Sequence, residues 1–251
     1  MTTVKDIYNY IDSFAPFCTS EGFDNTGMLV GDTEQQVKRA LVTLDITRDV
    51  VSEAAALGAQ LIISHHPVIF QPLKRVLKNT AVYDLIRNDI SAICAHTNLD
   101  KSTSFGVNTE LARSAGLENI GLSDNSEFLF LGYSNALSAE AFADRLKIGT
   151  HCKTLRFTCP NNKIAKVGLC SGAGGSEIYE AVKNGCDAFI TGEMKHHEIL
   201  FANEHNVSVF ILGHYKSEDV VIAPLAEKLD EKFTDVVFTK SQIFSDGVNC
   251  W

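Results

Sequence analysis

Apolar residues at Val4, Ile7, Tyr8, Ile11 and Phe14 recur at the spacing of one helical face. This predicts a helix over 4–14, broken by Pro16. Beyond it the pattern changes to short apolar runs bounded by turn residues. Residues 28–30, 40–44, 61–64 and 91–95 read as buried strands. Residues 50–57, 80–88 and 107–115 read as helices. Thr47 or Asp49 supplies an N-cap for the helix over 50–57, and Gly58 supplies its C-terminal stop. Strands that are apolar on both faces and alternate with helices are the signature of a parallel α/β sheet.

The second half repeats this pattern. Residues 53–66 can be set above 180–193, so that Glu53 falls on Glu180, Gly58 on Gly185, and the apolar strand and His66 on a second apolar strand and Glu193. Further along, 92–100 can be set above 210–218, which places His96 on His214 and Asp100 on Glu218. Two matches in the same order imply two related α/β halves. The polar, turn-rich stretch 121–127 suggests a boundary there, giving halves over 1–124 and 125–251 with terminal elements free to cross between them.

Composition narrows the class. The chain has 251 residues, 45% hydrophobic and 21% charged, which suits one large or two modest globular domains. A net charge of −9 argues against a duplex-DNA surface but leaves a single nucleotide open as substrate. The seven cysteines (Cys18, Cys94, Cys152, Cys159, Cys170, Cys186 and Cys250) are odd in number and form no C-x-x-C pair. That fits a reducing cytoplasm better than a disulfide framework. No apolar run approaches membrane-spanning length, and no signal peptide is expected.

The chemistry gathers where the strands end. His65 and His66 follow the strand over 61–64, and Pro67 stops it; both rings reach one site only if the chain turns there. His96 and Asp100 follow the next strand, while Glu193, His196, His197, His214 and Glu218 hold matching places in the second half. Nitrogen and oxygen donors without thiolates suit zinc, iron, manganese or nickel. Competing readings apply to several of them. His96 fits a hydrogen-bonded loop histidine as well as a ligand, and His196 and His197 fit a solvated helix start. Asp100 and Glu218 also suit the N-terminal dipole of a helix. His151 and His205 read as surface residues. The loop Ser171-Gly172-Ala173-Gly174-Gly175-Ser176 lies between a strand and a helix. Through Gly172, Gly174 and Gly175 it serves either as an anion cradle or as a tight turn. It matches neither the dinucleotide fingerprint nor the P-loop.

Seven segments taken together resemble a known family: Asp24-Asn25-x-Gly27, Leu44-Asp45-x-Thr47, Ser64-His65-His66-Pro67, His96-Thr97-Asn98-x-Asp100, Ser171-Gly172-x-Gly174-Gly175, Thr191-Gly192-Glu193 and Gly213-His214-x-x-Ser217-Glu218. The chain resembles the GTP cyclohydrolase 1 type 2, or Nif-three-like, family in its short bacterial form. The resemblance implies an α/β protein of two related domains, mostly parallel in their sheets, with a dinuclear metal site between them and a homohexameric assembly. It implies two divalent ions per chain: one on His66 and Asp100, the other on His65 and His214, with Glu218 as the bridge. Two ions about 3.5–4 Å apart activate water and polarise a substrate. The expected reaction is then hydrolytic opening of a purine nucleotide ring, with His96 or Glu193 moving the proton, or hydrolysis of a phosphoester. A metal-binding scaffold without catalysis is the alternative.

Overall fold

The computed structural model describes residues 1–248; Cys250 lies outside the described residues. In chain order the elements begin α1 (Val4–Phe14), β1 (Gly27–Val30), β2 (Arg39–Thr43), α2 (Arg48–Leu57), β3 (Leu61–Ser64), α3 (Ala81–Arg87), β4 (Ser91–Cys94) and α4 (Thr97–Lys101). They continue with α5 (Val107–Ser114), β5 (Glu118–Leu122), β6 (Phe130–Leu137), α6 (Ala139–Gly149), β7 (Arg156–Phe157), β8 (Ile164–Cys170), α7 (Ile178–Lys183) and β9 (Ala188–Thr191). The last are α8 (His196–Glu204), β10 (Ser208–Ile211), α9 (His214–Glu218), α10 (Ile222–Lys232) and β11 (Val237–Lys240).

Two compact units result. One comprises Met1–Leu99 and Ile222–Gly247, and the other runs from Asp100 to Val221. This differs from the break at 124/125 expected from the polar stretch. Residues 123–129 instead join β5 to β6, an antiparallel pair inside the second unit. Turn chemistry marks a sharp change of chain direction, and a hairpin needs one as much as a domain linker does. The return of α10 and β11 to the first unit follows from pairing: β11 adds a parallel strand beside β2, with Phe238 opposite Ala40.

The first unit's sheet has the order β1-β4-β3-β2-β11, parallel except at β1. The burial of β3 and β4 on both faces explains their unbroken apolar sequence. Leu41, Ile62, Val50, Ala54 and Leu85 form its core, all fully buried. Each such Leu or Ile contributes roughly 1.5–3 kcal/mol. Thr47 accepts a hydrogen bond from the Val50 N–H and so proves to be the cap of α2. Gly58 ends that helix in the left-handed region at φ +65°.

The second unit's sheet has the order β5-β6-β8-β9-β10-β7. Only β8, β9 and β10 run parallel, because β5, β6 and β7 pair antiparallel. This sheet is therefore mixed, whereas a mostly parallel one was expected. Its core includes Phe130, Phe142, Val167, Leu169, Ile190 and Phe210. The parallel triads β2-β3-β4 and β8-β9-β10 share order and direction, as the repeated sequence requires. Gly185 repeats the Gly58 conformation at φ +66°. The triads differ in one detail. Ser64 pairs with Cys94 and Thr191 with Ile211, so His96 stands two residues past its strand's last pair and His214 three. No helix among the described residues is long and apolar enough to cross a membrane.

Candidate metal centre

In the first unit, β3 delivers His65 and His66, and the chain leaving β4 delivers His96. Chain direction at the first pair is fixed by backbone bonds from His65 N–H to Thr43 O and from His66 N–H to Leu44 O. The Ser64 hydroxyl donates to His66 O at 2.7 Å, and the Cys94 thiol donates to His65 O at 3.0 Å. The bend at His65-His66 thus brings both rings to one side, as the sequence required. Their centroids lie 5.0 Å apart, and His96 completes a triangle at 5.1 and 5.4 Å. One nitrogen from each ring lies within 4.8 Å of the other two.

Each ring is held by its Nδ1. His65 Nδ1 lies 2.9 Å from Ala95 O, a carbonyl, so this nitrogen must be the donor and Nε2 carries the lone pair. His66 Nδ1 is 2.9 Å from Asp45 Oδ1, and His96 Nδ1 is 2.9 Å from Asp24 Oδ1. An acceptor on Nδ1 fixes ring orientation and tautomer and makes the other nitrogen a better ligand, the usual outer support of a metal-binding histidine. The donor set therefore fits a divalent ion.

Asp24 is itself over-determined. Its second oxygen accepts the Thr97 hydroxyl at 2.7 Å and the Thr97 N–H at 3.1 Å. Burial pushes its pKa up, but hydrogen bonds from His96 and Thr97, together with the attraction of the His96 ring whenever that ring is protonated, outweigh this and hold the carboxyl far below the usual carboxylate range. A depressed carboxylate contributes stability that is complete above its unfolded pKa of about 3.9 and is lost as pH falls below that value. Asp24→Asn is thus expected to lower the melting temperature at pH 7. The gap from wild type should narrow as pH is taken from 7 towards 3; a gap constant across that range would refute the ionised role of Asp24.

In the second unit, α9 places His214 at its first residue and Glu218 at its last, one turn apart on the same face. His214 Nδ1 is 2.9 Å from Glu193 Oε1, and its Nε2 is 3.1 Å from Glu218 Oε2. Glu218 is 4% exposed. The Ser217 hydroxyl accepts the Gly172 N–H at 2.9 Å and donates to His214 O at 2.8 Å, tying α9 to the glycine loop. Asp100 lies buried in α4. Asn108 accepts from Ser171 N–H and donates to the Asp100 carbonyl, so one buried amide links the turn carrying Asp100 to the same loop. The glycines of that loop have a packing reason. A Cβ on Gly174 would meet Cys170 Sγ at 2.4 Å, and one on Gly175 would meet Glu193 O at 2.7 Å. Burial, reinforced by the negative charges of Asp100, Glu177 and Glu218, pushes the Cys170 thiol well up, so it stays neutral and offers no thiolate.

His196 and His197 lie exposed at the start of α8. His151 and His205 are exposed as well, as expected. Sequence reasoning missed the roles of Asp24, Asp45, Asn108 and Ser217, although Asp24, Asp45 and Ser217 stand inside the segments that carried the family resemblance.

A Clostridium perfringens protein named GTP cyclohydrolase 1 type 2 homolog is 31% identical over 97% of each chain. A Campylobacter jejuni protein of the same name is 33% identical over 95% of this chain and 97% of its own. A crystal structure of a Staphylococcus aureus hypothetical protein superposes with a TM-score of 0.92 at 29% identity, covering 99% of both chains. The family model for Duf34/NIF3 (NGG1p interacting factor 3) matches residues 2–247, and the chain belongs to that family.

Proposed function

We propose that this chain is a dinuclear metal-dependent hydrolase acting on a nucleotide or a related phosphoester. His66 and Asp100 would hold one divalent ion and His65 and His214 the other, with Glu218 as the donor they would share. What carries the reading is the common anchoring of four imidazoles. His65, His66, His96 and His214 each present Nδ1 to an oxygen acceptor 2.9 Å away, which prepares the opposite nitrogen to bind. Zinc, iron, manganese and nickel all accept such nitrogen and carboxylate donors. When bound, the ions supply Lewis acidity towards water and towards an electrophilic carbon or phosphorus.

The chain's own residues supply the proton handling. With Nδ1–H on Asp24, the Nε2 of His96 can accept a proton, and the buried Asp24 carboxylate stabilises the imidazolium that forms. Glu193 acts through His214, as a positioning residue. The side chains of His66 and His96 remain 21% and 19% exposed, which supports substrate access over a closed structural staple. The name borne by the curated relatives makes opening of a purine nucleotide ring the first reaction to test.

Metal-loaded protein is expected to hydrolyse GTP or an aryl phosphodiester, and His96→Gln to lower kcat by about 10²–10⁴-fold at unchanged metal content. A Glu218→Gln variant with full metal and full turnover would remove the bridging role. Metal-loaded wild type inert on both substrates would leave a metal-binding scaffold as the better account.

A further inference from the structure

We propose that Ser171 and Gly172 form a rigid crosspiece between the donors of the second unit, with Asn108 and Ser217 as its positioning residues, so that the ion assigned to Asp100 and the ion assigned to His214 bind as a coupled pair. This rests on the dinuclear reading above and deepens it, by stating how occupancy of one ion site regulates the other.

The observation is a pair of hydrogen-bond relays that leave adjacent residues of one loop. Ser171 N–H donates to Asn108 Oδ1 at 2.8 Å, and Asn108 Nδ2 donates to the Asp100 carbonyl at 3.1 Å. Gly172 N–H donates to the Ser217 hydroxyl at 2.9 Å, and that hydroxyl donates to the His214 carbonyl at 2.8 Å. Each relay has the same order: a loop N–H, one side chain, the carbonyl of a proposed ligand. Both intermediaries are fully buried, and every residue of the two relays belongs to the second unit. Neither intermediary can be turned round. An N–H on one side of Asn108 and a carbonyl on the other admit one orientation of its amide. The Ser217 hydroxyl has a single proton, which the His214 carbonyl takes.

The crosspiece has little freedom of its own. A planar peptide joins Ser171 to Gly172 and fixes their Cα atoms about 3.8 Å apart. The Gly172 carbonyl accepts the Glu193 N–H at 2.8 Å, and Glu193 Oε1 lies 2.9 Å from His214 Nδ1. The loop therefore reaches His214 through its ring as well as through its backbone. Gly192 packs against this joint, where a Cβ would lie 2.5 Å from Ser217 Oγ and 2.6 Å from Gly172 O. Buried polar groups with their bonds made behave as a unit, because displacing one strands its partners. An ion that orders Asp100 thus orders His214, and the second ion meets donors whose motion is already restricted. By linkage the effect is equal in both directions.

Both relays grip backbone carbonyls, so removing the side chain of Asp100 or His214 leaves the crosspiece whole. This permits a crossed test, in which zinc is titrated into the metal-free full chain against a competing chelator. In Asp100→Ala protein the remaining ion is that of His214. Asn108→Ala is expected to weaken it about tenfold, although the bonds of Asn108 run to residue 100 and Ser171. In His214→Ala protein the remaining ion is that of Asp100, and Ser217→Ala is expected to weaken it about tenfold. Ser208→Ala is the control. Ser208 is equally buried, at the opposite end of β10 from His214, and its hydroxyl likewise accepts one bond and donates one, both with Asn161. That change should lower the melting temperature and leave both zinc affinities unchanged. Should Asn108→Ala or Ser217→Ala fail to fold, amide exchange in Asp100→Ala protein decides: zinc is expected to slow exchange at Ser171 N–H and at the Asn108 side-chain amide. Variants that leave the crossed affinities unchanged, Ser208→Ala as damaging to them as Ser217→Ala, or zinc without effect on those two amides would each overturn the inference. Wild type that binds no zinc overturns the dinuclear reading and this coupling with it.

Discussion

Protein purified without added metal is expected to carry about two divalent ions per chain, and Asp100→Ala or His214→Ala to remove about one of them. The reasoning is local in each case. Asp100 is a buried carboxylate whose backbone is fixed through Asn108, so alanine deletes a donor without freeing the turn that bears it. His214 is oriented by Glu193 through Nδ1 while its Nε2 faces Glu218, so alanine removes a donor from a ring already held in place. Changes one step out give a graded result. Asp45→Asn and Glu193→Gln leave every proposed ligand in place but disturb the ring each one orients, for which a loss of about 10–100-fold in metal affinity is expected. Asp45→Asn should act on the ion assigned to His66, and Glu193→Gln on the ion assigned to His214. Elemental analysis, with circular dichroism to establish folding, reads all four variants. Metal that is absent from wild type, or indifferent to both alanine changes, would end the dinuclear proposal.

The parts of this centre that could be read from sequence are those set by local patterning. Strands buried on both faces announce themselves as apolar runs, and the residues just after such a run stand at the end of the sheet. That logic was enough to place His65, His66, His96, Glu193 and His214 just past their strands and to pair the two halves, with Asp100 and Glu218 further on in the short helices α4 and α9. The supporting carboxylates were another matter. Asp24 meets His96 across 72 residues of chain, and Asp45 meets His66 across 21. Nothing in a turn rich in Asp, Asn and Gly separates a carboxylate that holds a histidine from one that faces water. The fold shows the same limit. The antiparallel strands β5 and β6 flank a polar turn that reads equally well as a linker. The two-residue β7 and the partnership of β11 with β2 depend on pairing between distant segments, which side-chain periodicity does not encode.

Gly172→Ala is expected to cost both stability and metal, and a second glycine separates the two effects. Gly172 sits at φ +57°, in the left-handed region, where a Cβ costs roughly 1–2 kcal/mol. Its N–H donates to the Ser217 hydroxyl, and its carbonyl accepts the Glu193 N–H, so the backbone is held from two directions and cannot step aside cheaply. A Cβ placed there would lie 2.2 Å from Glu218 Oε1 and 3.5 Å from His214 Cε1. The carboxylate must then move away from the position its helix gives it, and with it goes the proposed bridge. The backbone cost alone predicts a fall in melting temperature of about 2–8 °C for a chain of this size. Gly58→Ala is the control. Gly58 has a similar φ of +65°, but a Cβ there meets nothing within 4 Å, so it incurs the backbone cost without touching a donor. Gly58→Ala should therefore show the backbone loss alone, while Gly172→Ala loses more melting temperature and, of the two, is the one that loses bound metal. Equal and full metal content in both would show that Glu218 is not held in place for an ion, because the space that Gly172 leaves beside its carboxylate could then be filled without consequence.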